Sequence, residues 1–383
     1  MTLSDVHGLK QTSRNFYQHL KTKLETAGFT SVEDVDPCLF ISDKVICWVY
    51  VDDCLFYSPK AEYIDEMITK LREDDMTLEV EDSVAGFLGV HIDRNNSTGE
   101  VTLTQTGLIE RIMKALGVEG EHGKTTPAAH EALHSDKNGD PVQALYSYSS
   151  VIGMLQYLQG HSRPDITFAV SQCSRFIHDT KRSHEIALER IGKYLKKTRG
   201  KGLILKPSQN LDIDCFVDAD FCGLWPQEDK HDPVSVKSRT GFAICIANCP
   251  IIWSSKLQSM IALSTMESEY TALSDALKFV IPIQRLVATV PKGVGLEPER
   301  LTTFKTMIWE DNMGAMTLAK LEPGRTTPRS KHYAVKIHWF RSYLKPNHIE
   351  IVKIDTKEQR ADILTKGLRP ETFEKIRKLL CGW

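Results

Sequence analysis

"VICWVYVDDCLFYSP", residues 45–59, sets two adjacent aspartates, Asp52 and Asp53, between two short runs of bulky apolar residues. Runs of this length, rich in β-branched and aromatic residues, read as strands, and the paired charges between them read as the bend of a hairpin. Working outward, CLFI (38–41) after Pro37 and the polar turn at Ser42–Lys44 supply another strand on the amino-terminal side. Before it, residues 10–27 place Phe16, Leu20 and Leu24 four apart and end at Gly28, the pattern of one amphipathic helix. On the other side, residues 61–75 read as an acidic helix. GFLGVHIDRNNSTGEVTLTQ (86–105) reads as a second hairpin, turning at Asn95, Asn96 and Gly99.

Residues 125–143 change to Pro, Ala, His, Asp, Asn and Gly without periodicity, as expected of a surface linker. Residues 146–200 read as helical, broken at Arg163-Pro164. Beyond Pro207 the pattern returns to strands in LDIDCFVD (211–218), TGFAICIA (240–247) and PIIWSS (250–255), followed by a helix from near Thr265. Strand TMIWED (306–311), a helix over 312–321, a basic loop and helix to about 345, strand IEIVKID (349–355) and a last helix complete the chain. This order fits a mixed sheet flanked by helices, so the fold class is multidomain α+β and α/β. The expected division is 1–124, 125–208 and 209–383.

No window approaches the twenty apolar residues that span a bilayer, and the amino terminus lacks the apolar run of a secretory signal. Nine cysteines without CxxC pairs suit a reducing compartment. The net charge of −2 conceals uneven stretches. Residues 61–82 carry nine acids and two bases, 181–206 carry nine bases and two acids, and 316–348 carry seven bases and one acid. Basic runs can track a phosphate backbone, although on helices they also serve as solvated faces.

In the carboxyl-terminal part Asp218 ends one strand, Asp311 ends another, Glu269 lies early on a helix and Asp362 opens the final one. Met266, Tyr270, Leu273, Leu277 and Val280 mark that helix's buried stripe. At 100° per residue Glu269 projects about 40° from Leu273 and hence inward, whereas Glu267, about 160° from Glu269, is expected to face outward. Gathered carboxylates are costly unless cations neutralise them, and Mg²⁺ suits all-oxygen ligands. A two-metal phosphodiester site is one reading. Taken singly, each acid could equally cap a helix or end a strand.

Together, VDADFCG (217–223), SRTGFAICIA (238–247), IIWSSKLQSMIALSTMESEY (251–270), EDNMGAM (310–316), SKHYAVKIHWFRS (330–342) and QRADILTKGL (359–368) closely resemble the ribonuclease H of copia-type long-terminal-repeat retrotransposon polyproteins. HGLKQTSRNFY (7–17) and YVDD (50–53) resemble consecutive motifs of the same family's reverse transcriptase palm. FLGVHI (87–92) resembles its primer-supporting strand, and residues 148–176 resemble its thumb and connection region.

The resemblance implies an incomplete reverse-transcriptase palm with thumb and connection helices, followed by a ribonuclease H-like mixed sheet flanked by helices. It implies Asp218 rather than Asp220, Glu269, Asp311 and Asp362 as catalytic acids holding two Mg²⁺ ions, with Mn²⁺ as a substitute. It adds Asp52 and Asp53 as metal ligands of the polymerase hairpin. Lys10, Gln11, Arg14, Lys193, Lys196, Lys197, Arg329, Lys331 and His332 are the candidate nucleic-acid contacts. The implied partner is an RNA–DNA hybrid, with self-association or other retroelement products as further partners and no membrane. The implied location is the cytoplasm, within a virus-like particle, or the nucleus.

The family's palm carries a further aspartate on an earlier strand, so DNA synthesis is not expected of this chain alone. The leading expectation is Mg²⁺-dependent cleavage of the RNA strand of a hybrid. Two alternatives stand beside it: a non-catalytic retroelement remnant, and one piece of a longer RNA-directed DNA polymerase.

Overall fold

The computed structural model describes residues 12–81, 84, 86–225, 232–293, 304–321 and 334–383. The chain divides into two compact units, residues 1–83 with 281–304, and residues 84–280 with 305–383.

In the smaller unit, helix α1 (Thr12–Thr26) precedes an antiparallel sheet in the order β1 (Thr30–Val32), β2 (Asp36–Ile41), β3 (Ile46–Tyr50), β4 (Asp53–Tyr57), followed by α2 (Ala61–Glu73). The expected stripe of α1 is the one buried: Leu20 and Leu24 join Phe29, Phe40, Val45, Cys47, Val49 and Leu71 in one core, with Phe16 packed against it. Gly28, at a φ of 103°, ends the helix in a conformation that a side chain would resist.

The larger unit opens with an antiparallel sheet of β5 (Gly86–Phe87), β6 (Val90–Arg94), β7 (Val101–Thr104) and, from across the helical region, β8 (Leu203–Leu205). Strand β8 is absent from the sequence reading, because three residues between Gly202 and Lys206 are too short to show a period. Between β7 and β8 run α3 (Thr106–Leu116), α4 (Tyr148–His161), α5 (Thr167–Ser174) and α6 (Arg182–Lys197).

The expected break at Arg163-Pro164 is present, and a buried network anchors it. The Arg163 guanidinium donates to both Asp165 oxygens at 2.8 and 2.7 Å and to Thr198, while the Tyr194 hydroxyl donates to Asp165 at 2.6 Å. Both charged side chains are wholly buried, so each depends on the other to offset its loss of water.

The second sheet of this unit has the order β11 (Cys249–Leu257), β10 (Arg239–Ile246), β9 (Ile213–Asp220), β12 (Thr306–Glu310), β13 (Ile349–Lys353). Its first three strands are antiparallel, and β12 is parallel to both β9 and β13. This is the mixed sheet expected from the sequence. Helix α7 (Thr265–Gly293), whose residues up to Val280 belong to this unit, α8 (Met313–Lys320), α9 (Ala334–Leu344), α10 (Asp362–Thr365) and α11 (Pro370–Cys381) accompany it. Tyr270, Leu273, Leu277 and Val280 are buried as expected, and the Tyr270 ring meets Phe340 edge-on at 5.2 Å.

Two expectations are corrected. Glu267 does not face outward: it is buried, and its carboxylate accepts the Leu263 amide at 2.7 Å, while Ser264 accepts the Glu267 amide. This reciprocal cap pulls the side chain back across the start of the helix, and the serine three residues before the glutamate was its sequence signal. Asp362 opens the short α10 rather than the final helix. Lys366 takes an extended conformation after it, and Pro370 starts α11 afresh.

Among the described residues, no helix is long and apolar enough to cross a membrane.

Candidate active site

Three of the four carboxyl-terminal acids converge. One ligand oxygen from each of Asp218, Glu269 and Asp311 lies within 4.8 Å of the other two, although the residues are far apart in sequence. Asp218 stands near the end of central strand β9, Asp311 just past the end of its parallel neighbour β12, and Glu269 on the second turn of α7. Parallel strands end together, which brings the first two acids to one edge. The Gln258 amide, donating to Thr240 Oγ1 and to the Ser268 carbonyl, ties the first turn of α7 to the sheet.

Asp362 reaches the cluster through Lys366, whose Nζ lies 2.9 Å from Asp362 Oδ1 and 3.6 Å from Asp218 Oδ2. The Thr365 hydroxyl donates to the same Asp218 oxygen. Gly241, directly opposite Asp218 on β10, makes this approach possible. A Cβ there would stand 2.5 Å from Thr365 Cγ2 and 3.0 Å from Leu364 Cβ. The Gln359 side chain donates to the carbonyls of Val217 and Trp309, at 2.8 and 3.3 Å, where β9 and β12 end.

A further acid, Glu310, belongs to this neighbourhood. It is wholly buried, and its Oε1 accepts the Asn312 amide at 2.9 Å. The inside-outside alternation of β12 was the available signal, since Thr306, Ile308 and Glu310 share the buried face.

Burial pushes the Glu269 carboxyl up to about 11, reinforced by Glu310, Asp218 and Asp311. Burial also raises Glu310 to about 8, against the pull of the Asn312 amide, and Asp362 to about 7, where Asp218 adds to the rise and Lys366 opposes it. Glu269 Oε2 and Glu310 Oε2 are buried without a hydrogen-bond partner. Crowded, dehydrated carboxylates with orphaned oxygens are the donor set that a hard divalent cation would satisfy.

The remaining expected site residues lie elsewhere. Asp52 and Asp53 are exposed at the β3–β4 bend, and among the described residues they belong to no cluster of three potential metal ligands. Val51, beside them, has a φ of 54°, a strained conformation for a β-branched residue. Arg14 and Lys197 are exposed. Lys193 lies near Glu121 and Glu189, at 3.7 and 3.9 Å, and Lys196 donates to the Glu121 carbonyl, so part of the basic run is engaged within the chain. Lys10, Gln11, Arg329, Lys331 and His332 fall outside the described residues.

Residues 3–130 match the reverse transcriptase (RNA-dependent DNA polymerase) family. The chain is similar over 98% of its length to the retrovirus-related Pol polyprotein from transposon TNT 1-94 of Nicotiana tabacum, at 28% identity, covering 27% of that protein. It is 30% identical over 97% of its length to the corresponding polyprotein from transposon RE1 of Arabidopsis thaliana, covering 24% of it. The chain therefore spans about a quarter of the length of these relatives. The solved structure of LC11-RNase H1 in complex with RNA/DNA hybrid matches 43% of this chain and 98% of that one, at 17% identity and a TM-score of 0.27.

Residues 3–130 thus carry a reverse transcriptase family match, and the acid cluster stands on the mixed five-stranded sheet that follows. The chain is a relative of the copia-type retrotransposon Pol polyproteins, as the sequence motifs imply.

Proposed function

We propose that the larger unit hydrolyses the RNA strand of an RNA–DNA hybrid at the acid cluster, with Mg²⁺ or Mn²⁺ held by Asp218, Glu269 and Asp311. The observation that carries this reading is the meeting of three sequence-distant acids within 4.8 Å, in a setting where a glutamate oxygen has no partner. A bound divalent cation would supply positive charge against the negative charge that develops on a phosphodiester under attack.

The chain's own groups do the rest. Thr365 fixes the Asp218 carboxylate by donating to Oδ2, Gln359 holds the strand ends that carry Asp218 and Asp311, and Asp362 completes the negative rim. A polymerase that copies RNA into DNA leaves a hybrid duplex, so the family match at residues 3–130 supports a hybrid as the substrate. Recognition would rest on groove shape and ribose 2′-hydroxyls, with exposed cations such as Lys197 on the phosphates.

The test compares cleavage of a labelled RNA–DNA hybrid by the unaltered chain and by Asp311→Asn in Mg²⁺. Cleavage by the first alone is expected, and equal cleavage by both removes the assignment.

A further inference from the structure

The acid cluster has two unequal halves. On one side Asp218, Glu269 and Asp311 face one another, each with an oxygen within 4.8 Å of the other two. On the side of Asp362 a positive charge is already built in, because the Lys366 ammonium lies 2.9 Å from Asp362 Oδ1 and 3.6 Å from Asp218 Oδ2. The lysine is placed there by its backbone. Its amide closes the end of α10 on the Asp362 carbonyl at 3.3 Å, which fixes its stem one turn from Asp362. The two acids it bridges are almost inaccessible, at 7 and 5% of their side-chain surface, but the lysine side chain is 41% exposed. The acids cannot leave and the ammonium can.

We propose that Lys366 is a resident counter-ion that occupies the second cation position of this site, between Asp218 and Asp362, and that a divalent cation binds there only by displacing it. The inference rests on the reading of the cluster as a divalent-cation site and adds how its two positions differ. An ammonium and a divalent ion held by the same two carboxylates would repel each other across a few ångströms with little water between them, so they exclude one another. The first position, bounded by three acids, shares only Asp218 with the pair that the lysine bridges. Ion occupancy is therefore stepwise, with one position open to an ion and the other guarded by a tethered single charge.

The test needs no nucleic acid and no turnover. The whole chain is titrated with Mn²⁺ at neutral pH, free ion being counted by its electron paramagnetic resonance signal. The unaltered protein should bind one ion tightly and a second at least tenfold more weakly. Lys366→Met keeps most of the stem and removes the charge, so the second ion should tighten tenfold or more, and by a larger factor than the first. Lys366→Arg should keep the weak second step.

A second measurement does not depend on any variant. The rate at which an amine-acylating reagent modifies Lys366, read by mass spectrometry, should rise when Mn²⁺ reaches the second-step concentration. An unchanged second affinity in Lys366→Met, or an acylation rate indifferent to Mn²⁺, overturns the inference while leaving hybrid cleavage and its loss in Asp311→Asn intact. Failure of every form to bind Mn²⁺ overturns both the inference and the reading beneath it.

Discussion

Gly241 stands directly across the β9–β10 ladder from Asp218, and the space its missing side chain leaves is filled by Thr365 and Leu364. One hydrogen atom in place of a methyl group thus lets α10 settle on the sheet close enough for the Thr365 hydroxyl to reach the Asp218 carboxylate.

Gly241→Ala should therefore harm stability and the site together. The added carbon would sit 2.5 Å from Thr365 Cγ2 and 3.2 Å from the Ala361 carbonyl, and backbone cannot yield as a flexible side chain can. Overpacking of this kind costs about 1–3 kcal/mol. Urea denaturation should show that loss, and hybrid cleavage should fall further than the folded fraction does, because α10 carries Asp362.

Removing one member of the acid cluster should separate activity from stability. In Asp311→Asn, cleavage is expected to fall on the order of 100-fold or more, as when other groups that stabilise transition-state charge are lost. Without divalent ions the melting temperature should hold or rise, since one of several mutually repelling charges is gone. A fall in melting temperature that matches the lost activity would contradict this.

The pH dependence of the metal-free protein has a definite sign. Glu310 and Asp362 are held near 8 and 7, above their ordinary range, by burial and by neighbouring acids. Folded chains thus keep protons that unfolded chains release, and this stabilisation is full below about pH 4 and lost as pH rises through 7 and 8. In a chelator, stability should decline from pH 5 to pH 8 by up to about 1.4 kcal/mol per pH unit for each such carboxyl. Added Mg²⁺, which favours the ionised forms, should flatten the slope. Denaturation series at both pH values, with and without Mg²⁺, measure it.

Asp165→Asn should be among the most damaging changes away from the acid cluster. It leaves the Arg163 guanidinium buried without its counter-charge and weakens the acceptor of the Tyr194 hydroxyl. Breaking a buried pair by altering one partner costs about 3–5 kcal/mol. Thermal unfolding measures the loss, and a change below about 1 kcal/mol would show that water reaches the pair.

Most elements were legible because their periods are strong. The β3–β4 hairpin, the stripe of α1 and the buried face of α7 all follow from spacing alone. Family motifs, rather than spacing, picked out Asp218 over its neighbour Asp220. What escaped were features fixed by contact. Glu267 was misplaced because angular projection ignores a cap that bends a side chain back over its own helix end. Glu310 was overlooked although strand alternation points it inward. Lys366, Thr365 and Gln359 acquire meaning only once α10 lies on β9 and β10. The contacts of Lys193 and Lys196 with Glu121, some seventy residues earlier, likewise leave no trace in local spacing.

The strand Leu203–Leu205 has a practical consequence for anyone wishing to dissect the molecule. Leu203 shares one continuous apolar interior with Leu108, Ile109 and Leu195 on one side of the sequence and with Ile363, Phe373, Ile376 and Leu380 on the other. Gly382, at the end of α11, lies so close to Ile204 that a Cβ would stand 2.8 Å from that side chain. A recombinant piece begun at residue 209, where the return of the strand pattern suggests a seam, would be cut through this shared interior and would bare the oily underside of its own last helix. The sheet that bears the acid cluster should therefore be expressed together with its helical neighbour.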